Sequence, residues 1–103
     1  MDYKAQNGTI TGSNYEISEF ELFQNSPNPF KDETTFRFNL NQEDEIQLTI
    51  YDINGKRLKQ LKTILPAGQH EYRITKDDLN GSGLYFFEIQ TNSTTAMKKF
   101  VQM

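Results

Sequence analysis

The chain has a single histidine, His70, so any catalytic arrangement that needs an imidazole base must be built around it. No G-x-S-x-G elbow or well-placed nucleophile accompanies it. In "QHEYRI" it alternates with Tyr72 and Ile74, which reads as a histidine on a strand face. Asp77 and Asp78 could pair for acid/base work, but adjacent strand or loop residues point apart, and both open the turn-forming run "DDLNGSG". "DINGK", from Asp52 to Lys56, matches the start of a calcium loop but lacks the third oxygen ligand and the terminal glutamate. Asn54-Gly55 between two alternating runs is instead expected to form a type I′ hairpin turn, whose central positions both need φ > 0. Asn7-Gly8-Thr9 and Asn92-Ser93-Thr94 fit the glycosylation pattern, which has meaning only in a glycosylating pathway and otherwise marks polar loops. The absence of cysteine removes thiolate catalysis, disulfides and zinc-thiolate sites together. The residue types therefore point to no catalytic residue, no metal site and no cofactor.

The elements around these residues read as strands. "TTFRFNL" sets Phe36, Phe38 and Leu40 on one face and Arg37 and Asn39 on the other. "IQLTIYDI" sets Ile46, Leu48 and Ile50 inward and Gln47, Thr49 and Tyr51 outward, after a charged tip "NQEDE" expected to be solvated. "KRLKQLKTIL" returns with a cationic face suited to an edge. "PAG" turns the chain into "QHEYRI". "GLYFFEIQ" carries Tyr85, Phe87 and Ile89 on one side, with Leu84 and Phe86 also apolar, so that both its faces are expected to be covered. "AMKKFVQM" forms a last strand whose facing the pattern leaves open. Six or seven short strands, with turn signals every 8–12 residues, predict an all-β, immunoglobulin-like antiparallel sandwich of about seven strands.

With 103 residues the chain can bury roughly 60–70% of its unfolded surface. Eight phenylalanines and five tyrosines stand against no tryptophan, so the core must be built on a few large rings. A formal charge of −3 is too small and of the wrong sign for a phosphate-backbone binder, which disfavours nucleic acid as a partner. No apolar run approaches the ~20 residues of a membrane span. Residues 1–18, "MDYKAQNGTITGSNYEIS", open with Met1 to Ile10, which lack the basic start and apolar middle of a secretory signal. They read as a polar linker ahead of a folded unit over residues 19–103, either of a cytoplasmic protein or of a longer exported chain.

Four signatures stand in order: "NSPNPF" before the first long strand, "IYDINGK" at the central hairpin, "LPAGQHEYRI", and "DLNGSGLYFFEIQ" running to "MKKFV". This order resembles the type IX secretion C-terminal sorting domain (the Por secretion system, type A sorting domain) of Bacteroidetes-type bacteria, over Phe20 to Met103. The resemblance implies a non-enzymatic address. An N-terminally fused cargo crosses the inner membrane on its own signal. It passes through the periplasm, and its terminal sandwich is recognised by the outer-membrane translocon and its shuttle protein. A surface sortase then typically cuts in the linker, with residues 1–18 containing or adjoining the processing site, leaving the cargo at the cell surface or secreted. The motif residues that carry over are Pro27, Asn28, Pro29, Phe30, Tyr51, Asp52, Gly55, Gly68, Leu79, Gly83 and Tyr85, taken as structural. Lys98, Lys99, Phe100 and Val101 are expected to be the translocon recognition segment, and truncating "KKFVQM" is expected to block export even where the remaining sandwich folds. "NSPNPF" itself reads as a stiff spacer with two missing donors, with Phe30 anchoring it in the core. The alternative from another class is an adhesive or carbohydrate-binding sandwich, for which exposed rings such as Tyr51 would form the platform.

Overall fold

A computed structural model describes residues 19–103; the linker expected over residues 1–18 lies outside the described residues. Seven strands run in chain order: β1 (Glu21–Leu22), β2 (Glu33–Leu40), β3 (Asp44–Tyr51), β4 (Arg57–Leu65), β5 (Gly68–Thr75), β6 (Gly83–Gln90) and β7 (Thr95–Gln102). They form two antiparallel sheets, one of three strands in the order β1-β2-β5 and one of four in the order β4-β3-β6-β7. The seven-stranded sandwich expected from the periodicity is the observed fold.

The alternation in sequence becomes the division between core and solvent. On β2, Phe36, Phe38 and Leu40 are buried and Arg37 is exposed. On β3, Ile46, Leu48 and Ile50 face inward as expected, but Thr49 on the opposite face is buried too. It sits between Gln60 of β4 and Glu88 of β6, whose longer side chains flank it on the sheet surface. The inner faces meet through rings. Phe36 of one sheet stacks on Phe87 of the other with centroids 4.1 Å apart, and Phe100 meets Phe36 edge-on at 5.3 Å. Five of the eight phenylalanines, Phe30, Phe36, Phe38, Phe87 and Phe100, are fully buried, so the ring-built core follows from composition. On the inner face of β5, His70 lies 5.5 Å from the Phe38 ring and its Nε2 donates to the Pro66 carbonyl at 2.8 Å.

Three local expectations are corrected. Leu84 and Phe86 are only half-buried, because among the described residues no third layer covers the outer face of β6; neighbouring side chains shade them. Asp44 in the "NQEDE" tip is buried, since its carboxylate accepts the Asn92 N–H at 3.2 Å and ties this tip to the β6–β7 turn. The β3–β4 turn centres one residue earlier than a type I′ pair at Asn54-Gly55. The Gly55 N–H closes onto the Asp52 carbonyl, and the Asp52 N–H onto Lys56. The loop is therefore Ile53-Asn54-Gly55, a three-residue hairpin ending in a left-handed glycine at φ 83°. The Asp52 carboxylate drives the shift, accepting from the N–H groups of both Asn54 and Lys56 at 2.9 Å.

Candidate functional site

The motif residues collect around the terminal strand. In the pairing of β6 with β7, Gly83 opposes Gln102 and Gln90 opposes Thr95, which places the even-numbered residues of β7 inward. Phe100 is fully buried, Gln102 is buried, and Lys98 is a half-buried inward lysine on an edge strand. Met97, Lys99 and Val101 share the outer face with Leu84, Phe86 and Glu88 of β6. The expected recognition segment is thus divided. Lys99 is exposed and Val101 half-exposed on the outer surface, whereas the Phe100 ring is a core residue out of reach of any partner of the folded domain.

The "NSPNPF" segment leaves the three-stranded sheet and lies along the free edge of β7. Its Ser26–Pro27 and Asn28–Pro29 peptide bonds are both cis. Gln24 Nε2 donates to the Lys99 carbonyl at 2.8 Å, and the Asn28 side-chain oxygen accepts the Val101 N–H at 3.0 Å. The Phe30 N–H then donates to the Val101 carbonyl, and its carbonyl accepts the Met103 N–H at 2.8 Å. The outward-pointing groups of the last half of β7 are therefore satisfied without a neighbouring strand, and the inward Lys98 guards the rest of that edge. Phe30 is 1% exposed and stacks 6.0 Å from Phe100, so this strap is pinned through the core, as expected of an edge protector. Asn25 sets its entry. The buried Asn25 amide donates to the Pro27 carbonyl and to Thr34 Oγ1, both at 3.0 Å, and Thr34 Oγ1 donates to the same carbonyl at 2.7 Å. Replacing Asn28 by alanine is expected to cost about 1 kcal/mol. It should strip hydrogen-exchange protection from the Val101 amide while leaving Phe87 protected. Unchanged protection at Val101 would remove Asn28 from this role.

Tyr85 and Gly83 fix the other approach to β7. The buried Tyr85 hydroxyl donates to the Gly81 carbonyl at 2.6 Å and accepts the Asn80 N–H at 3.1 Å, so it finds the partners a buried phenol needs. Gly83 enters β6 at φ 144°, a conformation costly for any residue with a Cβ. Leu79 packs half-buried against the core, and Gly68 starts β5 where the chain changes sheets after Pro66 and Ala67.

The two acids considered for catalysis have separate structural lives. Asp77 is exposed in the short 3-10 turn Lys76–Asp78. Asp78 accepts Lys59 Nζ at 2.8 Å and the Thr75 N–H at 2.9 Å. Burial by itself pushes the Asp78 carboxyl up, but the Lys59 and Thr75 hydrogen bonds outweigh it and hold the group below its ordinary value. A depressed carboxylate stabilises the fold above its unfolded pKa, and the gain disappears as pH falls through the folded pKa. Asp78→Asn should therefore lower the urea midpoint at neutral pH and converge with the parent below the ordinary aspartate range. A deficit that persisted undiminished at pH 2 would rule out this ionic origin. Among the described residues, no cluster of three or more His, Asp or Glu is disposed to hold a metal ion.

Tyr51, Asp52 and Gly55 line a surface groove of about 320 Å³ on the outer face of the four-stranded sheet, with Ile53, Phe86, Glu88 and Met97. The Tyr51 hydroxyl donates to Glu88 Oε1 at 3.0 Å. Partial burial, and then the neighbouring Glu88 carboxylate, raise this phenol above its usual value. Phe86 and Met97 could not be assigned to a site by motif. Their signal was an apolar residue at the outward position of a strand, visible only once β6 and β7 are paired. Asn25, Gln24 and Asp44 left no signal that separates them from ordinary loop residues.

The family model of the secretion system C-terminal sorting domain matches residues 26–103. No curated protein sequence matches the chain. Among solved structures, dimeric latent PorU from Porphyromonas gingivalis superposes with a TM-score of 0.66 at 21% identity. The match covers 84% of this chain and 10% of that one, and at such identity the likeness is one of fold.

Proposed function

We propose, from the premise that this chain belongs to the secretion system C-terminal sorting domain family, a reading of how its surface serves as an address. The domain is a type IX secretion signal that directs a cargo protein across the outer membrane. Its task is carried out by being recognised, and the match over residues 26–103 is the observation that carries this conclusion.

The finer steps are our reading. The cargo is fused ahead of residue 19 and traverses the periplasm. The shuttle protein and the outer-membrane translocon engage the outer surface of β7, where Lys99 and Val101 are presented beside Phe86 and Leu84. A surface sortase then cuts within residues 1–18, ahead of the strap, so the sandwich need not unfold for processing. Supporting this division of labour, the strap occupies the edge of β7 and, among the described residues, leaves its outer side-chain face uncovered.

The test fuses residues 19–103 to a signal-bearing fluorescent passenger in a type IX-competent host. Fluorescence at the cell surface or in the medium is the expected result. A passenger retained in the periplasm would contradict the reading.

A further inference from the structure

The groove beside the β3–β4 loop has a composition that selects a ligand. Its walls are apolar: Phe86 and Tyr51 are half-buried, and Ile53 and Met97, at 66% and 49% exposure, are two of the six exposed large apolar side chains among the described residues. Solvent-exposed apolar groups gathered at one concavity are a recognised mark of an interaction site. The charged groups that line it, Asp52 and Glu88, are both acidic. Each is held in place by one oxygen. Asp52 Oδ1 accepts two loop N–H groups, and Glu88 Oε1 accepts the Tyr51 hydroxyl. Among the described residues, Asp52 Oδ2 and Glu88 Oε2 have no hydrogen-bond partner. The bases nearest in register, Arg57 opposite Tyr51 and Lys99 opposite Phe86, are not lining residues, although Arg57 stands close enough for its charge to act on the Tyr51 hydroxyl.

Two fixed carboxylates with spare oxygens, set among aromatic faces, match an arginine better than a lysine. A guanidinium is planar, stacks on rings and offers several donors in one plane, whereas an ammonium is compact and strongly hydrated. The apolar walls call for apolar neighbours on either side of that arginine. We infer that this groove receives an arginine side chain carried between apolar residues on a segment of the secretion machinery. The inference rests on the sorting-signal reading and gives its surface a partner chemistry. It also gives the family's Tyr51, Asp52 and Gly55 a shared purpose, since the loop they shape forms one wall of the groove.

The test has two arms. In the first, the 103-residue chain is titrated, under NMR observation, with the peptide Ac-Leu-Arg-Leu-amide and separately with Ac-Leu-Lys-Leu-amide and Ac-Leu-Glu-Leu-amide. Saturable shifts at Tyr51, Ile53, Glu88 and Met97 with the arginine peptide are expected, weaker with lysine and absent with glutamate. Glu88→Gln, which keeps an acceptor for Tyr51, should weaken the arginine peptide about tenfold, as expected for loss of a charge-assisted contact. Equal shifts with all three peptides, no shifts at all, or an unaltered Glu88→Gln would overturn the inference. In the second arm, Glu88→Gln and Ile53→Ser are placed in the exported fusion, with thermal melts confirming that each remains folded. Parent export with both variants reduced about tenfold supports the groove, and parent export with both variants unaffected overturns it. Failure of the parent itself to leave the periplasm counts against the sorting-signal reading, and the peptide arm then decides the groove by itself.

Discussion

A domain carrying Phe100→Ala is expected to lose about 3–5 kcal/mol of stability, from roughly a fifth to nearly all of the ~5–15 kcal/mol that a domain of this size possesses. The ring is fully buried, meets Phe36 edge-on at 5.3 Å, and lies 6.0 Å from Phe30 and 5.8 Å from Tyr85. It is therefore the place where both sheets and the strap converge. Removing it leaves a cavity bounded by strands on two sides and by a segment stiffened at Pro27 and Pro29, none of which can easily collapse inward. Lys99→Ala, one position away on the outer face, should change stability by less than about 0.5 kcal/mol. Urea unfolding of the two variants beside the parent checks the pair. Similar midpoints for Phe100→Ala and Lys99→Ala would show that the terminal strand is not part of the core.

The second large effect concerns the end of the chain. Deleting Lys98 to Met103 is expected to abolish the native fold and export together. The deletion removes Phe100 and Gln102 from the interior, most of the partners of β6 from Gly83 to Phe87, and the Val101 and Met103 groups that hold the strap. Because the segment is both surface and core, this truncation cannot by itself separate recognition from folding. Recognition is separated from folding by outward substitutions instead. Lys99→Glu and Val101→Ser should leave the melting transition nearly in place and reduce surface delivery of the passenger. Circular dichroism of the deletion, read with the export assay for all three variants, checks this. A deletion that still melts cooperatively at the parent temperature would show that β7 is dispensable to the sandwich.

Much of the fold was legible because strands that bury one face must alternate, and a one-residue error in facing would expose a whole row of rings. Phe36, Phe38 and Leu40, or Tyr85, Phe87 and Ile89, could hardly be placed otherwise. The facing of β7 was not legible for a physical reason. With Met97 and Val101 outward, Phe100 inward and Lys98 half-buried, it breaks the alternation on both faces, as edge strands that must avoid further pairing do. The groove was illegible for another reason: its walls come from β3, the loop after it, β6 and β7, and no local pattern joins them.

The sequence alone determined the secondary structure, the ring-built core and, through four ordered motifs, the family, because these depend on local period, volume and spacing. Only the tertiary structure decided how the short connections act. "DINGK" folds back within one sheet, whereas Pro66-Ala67 carries the chain from the four-stranded sheet to the three-stranded one. It likewise decided that Asn28 and Phe30 close the edge of a strand more than seventy residues later, and that Phe100 belongs to the core while Lys99 faces outward. These are pairings between distant parts of the chain, and they follow from which apolar faces and unpaired backbone groups can meet once both sheets exist.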